Sequence, residues 1–362
     1  MEQRDIKVML ISPIPPPAGG DSTWAYKYLK YNEKDGFNVF HVNTSMVGNR
    51  ALSTSDTIRV QDEIKRCFRI WTGIFKGIRK AKPDIVHMNT NCSPRGIVRD
   101  YISGIILKCF RVPYIIHCRC NVEDQISSSN LGIKLLRRLA DNSRRVLVQN
   151  SFSLAYMKKI CKRAKVEFMP NYIDAEYVAD DKKINRELQK VLYVGHIRKT
   201  KGIDEYIEVA KKFPKVSFLL AGPITDDYSQ EELENISSNI VLLGSMDGEA
   251  VKEQLDAADV FLFPSYTEGF SNAILEAMSR GLPIITTRVG ANEDMLEGKG
   301  GCLVETKDTE GLIASMERMK SYDLRKSMSQ WNIHKVKSSY VIDEVMNRLG
   351  ELYEGIIYEK NN

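Results

Sequence analysis

Two glutamates eight positions apart, Glu268 and Glu276, bracket the run Gly-Phe-Ser-Asn-Ala-Ile-Leu. A turn at Gly269 followed at once by an apolar run of helical period predicts a loop feeding a helix, with one acid at its mouth and the other two turns inside. At ~3.6 residues per turn and ~1.5 Å rise per residue, a fully helical segment sets the carboxylates on roughly one face, ~12 Å apart. That spacing suits a ligand with hydroxyl-rich ends better than a pair of acids sharing one proton, which needs close approach. Between the acids, the amides of Phe270, Ser271 and Asn272 fall at the helix start, where unpaired donors and the helix dipole favour an anion such as phosphate. Carboxylate, amides and carboxylate in that order fit a sugar, a diphosphate and a ribose. Taken alone, the same residues also read as a capping Glu268 and a solvated Glu276.

The flanking segments decide between the two. Asp259-Val-Phe-Leu-Phe-Pro-Ser265 reads as a short apolar strand with a Pro-Ser stop, and Arg280-Gly-Leu-Pro-Ile-Ile-Thr-Thr287 as a turn and another buried strand. This strand, loop, helix, strand unit resembles the donor-site signature of the large retaining glycosyltransferase family 4, glycosyl transferases group 1, which has the GT-B fold. Leu192-Tyr-Val-Gly-His-Ile-Arg-Lys-Thr-Lys-Gly202 is similar to that family's first C-terminal strand and phosphate loop. There Lys201 matches the lysine that neutralises the donor diphosphate. His196 stands where an arginine is usual, and Arg198 is the candidate to supply the missing guanidinium. Met169-Pro-Asn-Tyr-Ile-Asp174 resembles the segment closing the N-terminal domain, and Phe218-Leu-Leu-Ala-Gly-Pro223, with Gly222, the strand and glycine under the donor base. Val289-Gly-Ala-Asn-Glu293 has Ala291 in place of a second glycine, which forgoes the freedom to adopt positive φ.

A chain of 362 residues exceeds what one core normally supports, and its 43% hydrophobic content is ordinary for a globular protein. The resemblance implies an α/β protein with the GT-B fold, two facing Rossmann-like, doubly wound domains with an interdomain cleft. An N-terminal acceptor-side domain is expected over residues 1–175, a C-terminal nucleotide-sugar donor domain over 188–338, and a last helix over 339–362 crossing back onto the first. Ile6-Lys-Val-Met-Leu-Ile11 opens the first domain, and further strands near Val39, Ile85, Ile115 and Val146 alternate with helices, indicating a parallel sheet with crossovers. No G-x-G-x-x-G follows the first strand, so the dinucleotide fingerprint is missing. Gly19 and Gly20, after a proline-rich stretch, instead resemble the family's mobile donor loop, although the prolines also read as a rigid turn.

The catalytic histidine of the family has two candidate positions. In Val112-Pro-Tyr-Ile-Ile-His-Cys-Arg119, Arg119 occupies the usual place and His117 stands two residues earlier, both at even steps from Pro113 and so on one face of a strand. His117 is the candidate partner for the sugar and Arg119 for a phosphate or the acceptor; a satisfied core residue is the other reading of His117. His87 reads as structural.

Charge divides the chain. Residues 1–180 carry 29 Lys and Arg against 17 Asp and Glu, and residues 181–362 carry 23 against 30, a balance of +12 against −7. No zinc spacing, RNP-like aromatic motif or basic zipper accompanies the basic half, which argues against nucleic acid and for an anionic membrane surface or lipid-linked phosphate. Residues 64–80 place Phe68, Trp71 and Phe75 near one helical face with Lys and Arg interleaved, and residues 131–140 repeat the pattern. Such helices can lie in a bilayer interface, and a core-facing helix with a basic outer face has the same period. No run of ~18 apolar residues spans a bilayer, and the first five residues lack a leader's apolar core. Seven cysteines without metal spacing argue for a reducing compartment, with Cys118 and Cys120 packed on one side of a strand. The resemblance implies a cytoplasmic hexosyltransferase, peripheral on the inner face of the plasma membrane, that needs no cofactor or metal. It would move a sugar from a UDP- or GDP-sugar to a lipid-linked or glycan acceptor in bacterial surface polysaccharide assembly. Its rivals are a nucleotide-sugar epimerase on the same fold and a catalytically silent nucleotide-sugar binding partner.

Overall fold

The computed structural model describes residues 6–16, 19–46, 60–234 and 236–361. The first five residues and residues 17 and 18 of the proline-glycine loop therefore lie outside the described residues. The chain divides into two compact units, Met1–Pro170 with Asn347–Asn362, and Asn171–Met346.

In unit 1 the order is β1 (Lys7–Ser12), α1 (Gly20–Asp35), β2 (Asn38–Asn43), α2 (Val60–Ala81), β3 (Ile85–Thr90), α3 (Pro94–Cys109), β4 (Tyr114–Cys118), α4 (Val122–Ile126), α5 (Asn130–Asp141), β5 (Arg145–Val148), α6 (Ser151–Ile160) and β6 (Val166–Phe168). All strands are parallel, in the order β2-β1-β3-β4-β5-β6. The strands alternate. Met9, Ile11, Val86, Met88, Ile116 and Val148 point into one core with Ile70 and Ile74 of α2, Leu107 of α3, Leu136 of α5 and Met157 of α6. Residues of opposite parity, among them His87 and His117, meet α1 on the other face, where Trp24 lies over both imidazoles at ring-centre distances of 5.3 and 5.4 Å. The last helix joins them there: Tyr353 packs edge-on against Phe37, 5.1 Å between ring centres.

Unit 2 runs β7 (Lys190–Val194), α7 (Ile203–Lys212), β8 (Ser217–Ala221), α8 (Gln230–Glu234), β9 (Ile240–Gly244), α9 (Gly248–Ala257), β10 (Val260–Phe263), α10 (Asn272–Ser279), β11 (Ile284–Thr287), α11 (Asn292–Leu296), β12 (Gly301–Val304), α12 (Thr309–Arg318), α13 (Tyr322–Ser339) and α14 (Ile342–Asn361), the last shared with unit 1. Its parallel order is β12-β11-β10-β7-β8-β9. The four central strands are buried along nearly their whole length, as expected where helices cover both faces of a parallel sheet.

The cysteines are free thiols. Cys118 ends β4 and Cys120 lies beyond it, which corrects the expectation that both stand on the strand. Both thiols hydrogen-bond to Cys92, and these contacts draw its thiol below the ordinary range.

Candidate active site

Ligands of open α/β sheets bind beyond the carboxyl ends of the strands. In unit 2 the loops there follow β8, β7, β10 and β11, four neighbours in the sheet, and backbone bonds tie them together. Gly195 N–H donates to Ala221 O at 2.9 Å, Tyr266 N–H to Thr200 O at 3.0 Å, and Ala291 N–H to Gly269 O at 3.0 Å. Glycine is required at two of these meetings. Gly202, at φ 73°, would put a Cβ 2.0 Å from Pro264 O, and Gly290, at φ 53°, would put one 2.4 Å from Glu268 O. Ala291 takes φ −88° and needs no such freedom, because Gly290 alone carries the left-handed turn.

Across these loops Lys201 Nζ contacts Glu268 Oε1. Both side chains are mostly covered, at 15% and 12% exposure, so the pair is neither buried outright nor fully solvated. The ammonium also stands 5.4 Å from the centre of the Phe263 ring. Lys201 ends a one-turn 3-10 segment, Lys199–Lys201, and Arg198 just before it is exposed. His196 is exposed and its imidazole lies below its ordinary range, first through partial burial and then through the charges of Arg198 and Lys201. The loop thus sets Arg198 and Lys201 close enough to His196 for their charges to act on it.

The segment after Glu268 turns at Gly269 and starts α10 with Ser271 as its cap, the hydroxyl accepting from Ile274 N–H at 3.3 Å. Phe270 and Ser271 are buried and Asn272 half-buried. The first-turn amides of α10 have no intrahelical acceptor and form the positive end of its dipole. Asn272 is oriented by Asn171, whose Nδ2 donates to Asn272 Oδ1 at 2.7 Å. Asn171 stands in the Met169–Asp174 motif, and the motif's asparagine was the available signal for this contact. Glu276, two turns on, is half-buried and close enough to Tyr177 to raise its phenol, an effect second to that of burial. Gly222, at φ 136°, lies against the backbone of Gly195. Glu205 of α7 was not anticipated: its carboxylate accepts from the Tyr266 hydroxyl at 2.7 Å, binding α7 to the Glu268 loop.

Unit 1 holds the remaining candidates at the carboxyl ends of β1 and β4. Gly19 is extended and precedes α1, and Gly20 opens it; both are exposed. His117 is fully buried. Its Nδ1 lies 3.1 Å from His87 Nε2, and His87 Nδ1 lies 2.5 Å from the Tyr353 hydroxyl, which contacts Tyr28 Oη at 3.3 Å. Arg119 Nη1 stands 3.5 Å from His117 Nε2, and Arg119 Nε donates to Asp21 Oδ1 at 3.2 Å. The Arg119 side chain is 1% exposed and its guanidinium lies 4.7 Å from the Trp24 ring centre. Burial, and then the positive charge of Arg119, hold His87 down to about 3 and push His117 well below its usual range. Burial lifts Asp21 to about 6 despite the opposing pull of Arg119. His117, on β4, and Arg119, just past its end, are brought together, but within a closed polar chain rather than at an open surface. The cover that closes it, Trp24, Tyr28 and Tyr353, comes from elements 93 positions upstream of His117 and more than 200 positions downstream. Only the Trp24, Tyr28 spacing of one helical turn was a signal.

Two six-stranded parallel α/β units with these strand orders have the GT-B fold. The structure of HepE from Anabaena, solved in complex with UDP, superposes with a TM-score of 0.73 at 14% identity, covering 97% of this chain and 100% of that one. Residues 189–321 match the family described as glycosyl transferases group 1. An α-galactosylglucosyldiacylglycerol synthase of Streptococcus pneumoniae is 31% identical over 38% of this chain and 41% of its own length. A UDP-Gal:α-D-GlcNAc-diphosphoundecaprenol α-1,3-galactosyltransferase of Escherichia coli is 24% identical over 79% of both chains. The matched stretch spans less than half the length of the first two curated relatives. Among the described residues no helix is long and apolar enough to cross a membrane.

Proposed function

We propose that the protein transfers a hexose from a nucleoside-diphosphate sugar to a hydroxyl of a lipid-linked or polysaccharide acceptor, with retention at the anomeric carbon and without a divalent metal. The contact of Lys201 with Glu268 beside the first turn of α10 carries this reading. It holds a cation, an acid and a row of amides where a diphosphate and its sugar would lie together. When the bond from anomeric carbon to phosphate oxygen breaks, charge develops on the departing nucleoside diphosphate, and preorganised cations and amides stabilise it. Lys201, Arg198 and the amides of Phe270, Ser271 and Asn272 would form that clamp. Glu268, released from Lys201 by the arriving phosphate, would take sugar hydroxyls, and Glu276 the ribose. Gly19, Gly20 and Gly222 would allow close backbone approach. The names of the relatives favour UDP over GDP, one acting on UDP-Gal and a structural neighbour holding UDP. Their lipid-linked substrates support an acceptor carried on lipid in bacterial surface glycan assembly, with the basic unit 1 at the anionic inner face of the plasma membrane.

The closed chain around His117 favours a second reading, in which the protein binds nucleotide sugar without turnover. Arg119 and His117 then only hold α1 and α14 to the sheet. Donor screening separates these: thermal shifts and hydrolysis for UDP-, GDP- and ADP-sugars, on wild type and Glu276→Ala. A shift with slow hydrolysis for one nucleotide series, abolished in the variant, supports the transferase. Binding without hydrolysis, and without transfer to any lipid-linked glycan, supports the silent partner. No binding by folded protein refutes both.

A further inference from the structure

The outer side of the helical layer formed by α2, α3, α5 and α6 has no part in the proposed reaction, yet it differs from the rest of the surface in two respects. Of twelve large hydrophobic residues exposed among the described residues, eight stand on this layer. Ile64, Phe68 and Phe75 form a stripe on α2, Val98 and Ile105 another on α3 with Phe110 at its end, and one more each lies on α5 and α6. Phe75 and Phe110 meet edge to face with ring centres 5.5 Å apart, so the two helices share one apolar ridge. The same four helices carry fourteen Lys and Arg against four Asp and Glu, most of the charge excess of the basic half.

Each crossover helix of a parallel sheet runs back toward the amino ends of the strands, so the carboxyl ends of α2, α3 and α5 gather at that edge. Beside Phe110 the edge holds an open pocket of about 320 Å³, lined by Lys108, Arg111, Tyr114, Asn142 and Arg144 among others and by no carboxylate. Arg111 and Arg144 are exposed and make no ion pair among the described residues, and the Lys108 ammonium donates to the uncharged Asn142 side chain at 2.7 Å. Three cations around one opening repel one another unless an anion joins them, and a phosphate accepts from several such donors at once. Cations at helix carboxyl ends also complement the dipole; that accounts for Lys108 and Arg111 singly, but not for their convergence with Arg144, just before β5, or for the ridge beside them.

We propose that this layer is the face by which the protein lies on a bilayer containing anionic phospholipid. The pocket of Lys108, Arg111 and Arg144 takes a headgroup phosphate, and Phe68, Phe75 and Phe110 enter the interface. The assignment rests on the membrane-surface reading above and says which surface carries it. Apolar residues on a strongly basic helix face match the interface of an anionic bilayer. A second copy of the same face would set like charges opposite each other, which disfavours self-association.

The test is sedimentation of the full chain with vesicles of phosphatidylcholine alone or with one third phosphatidylglycerol. Four proteins are compared: wild type, Arg111→Ala with Arg144→Ala, Phe75→Ser with Phe110→Ser, and Lys211→Ala with Lys212→Ala on the exposed side of α7 as a control, all checked for folding by thermal unfolding. Wild type should partition onto the anionic vesicles only. The arginine pair should weaken partitioning roughly thirtyfold and the phenylalanine pair by about tenfold or more, with the control within about threefold of wild type. If wild type ignores anionic vesicles, the membrane reading itself fails. If wild type binds and all variants bind alike, the membrane reading stands and this face is the wrong one. Equal binding to the zwitterionic phosphatidylcholine vesicles would overturn the selectivity for anionic lipid on which the proposal rests. A concentration-dependent dimer that Phe75→Ser dissolves, in protein that does not bind vesicles, would make the ridge a self-association surface instead.

Discussion

Acidifying the protein from pH 7 to pH 5 is expected to weaken unit 1 through the buried imidazole of His87. The fold holds this group down to about 3, by burial first and by Arg119 second, against 6.5 for an ordinary histidine. A folded value below the unfolded one means that the stability is fully present above about pH 6.5 and is lost as pH falls toward 3. Three and a half units at about 1.4 kcal/mol each give a ceiling of about 5 kcal/mol. At pH 5 the unfolded imidazole is almost wholly protonated and the folded one almost wholly neutral, which costs about 2 kcal/mol. Asp21 acts with the opposite sign: the fold lifts its carboxyl to about 6 from 3.8, so acidification over the same window returns about 1 kcal/mol. The contribution of Asp21 cancels in a comparison of wild type with His87→Phe, whose pH 7-to-5 loss should be smaller by about 2 kcal/mol. Because two-unit chains rarely unfold in one step, the direct assay is the imidazole titration followed by NMR with labelled histidine. His87 and His117 should show no titration between pH 8 and 5. A folded-state midpoint above 6 for His87, or identical acid sensitivity in the variant, would refute the reasoning.

Lys201→Ala should lower transfer kcat/KM by at least about a hundredfold, the loss of a charge-assisted contact that strengthens as the diphosphate departs. Lys201→Arg should recover only part of it; unchanged turnover in Lys201→Ala would remove the lysine from the clamp. Glu276→Ala should act mainly on donor KM, by roughly ten- to a hundredfold, since a ribose contact is the same in ground and transition states. Gly290→Ala meets Glu268 O at 2.4 Å with φ 53° and should cost about 2 kcal/mol or more in thermal unfolding while also reducing turnover. Tyr353→Phe removes one hydroxyl between His87 and Tyr28 and should cost about 1–3 kcal/mol of stability, read by chemical denaturation, with donor affinity unchanged.

The local structure around the proposed donor site was legible because its parts are neighbours in sequence. Glu268, the turn at Gly269, the Ser271 cap and the helix behind it occupy consecutive positions, and Lys201 follows its strand by a few residues. The apolar runs of β7, β10 and β11 were legible for the same reason, as buried parallel strands lose the polar alternation of half-exposed ones. What the sequence left open at His117 was long-range. A strand's period of two puts His117 and Arg119 on one face, but not whether that face meets solvent or a helix. The answer depends on Trp24, Tyr28 and Tyr353, and no local rule links Tyr353 to His87 across 266 positions. The aromatic stripe of α2 was ambiguous in another way. Helical period assigned Phe68, Trp71 and Phe75 to neighbouring positions, and packing divided them: Trp71 is half-covered while both phenylalanines stay exposed.

Unit 1 is built from the two ends of the chain, whereas unit 2 is one continuous stretch. On the ribosome, the first 170 residues emerge without the helix that supplies Tyr353, so Tyr28, His87 and Phe37 have no cover on that side until roughly the last two and a half turns of α14 are being made. Unit 2 has all of its own strands by then and can close first. The nascent N-terminal half therefore spends most of synthesis with polar groups and aromatic rings of its second layer facing water. A stop codon before residue 347 would leave it in that condition permanently. Such a truncated chain should be a chaperone substrate, cleared by proteases, even though every residue of the proposed donor clamp is intact.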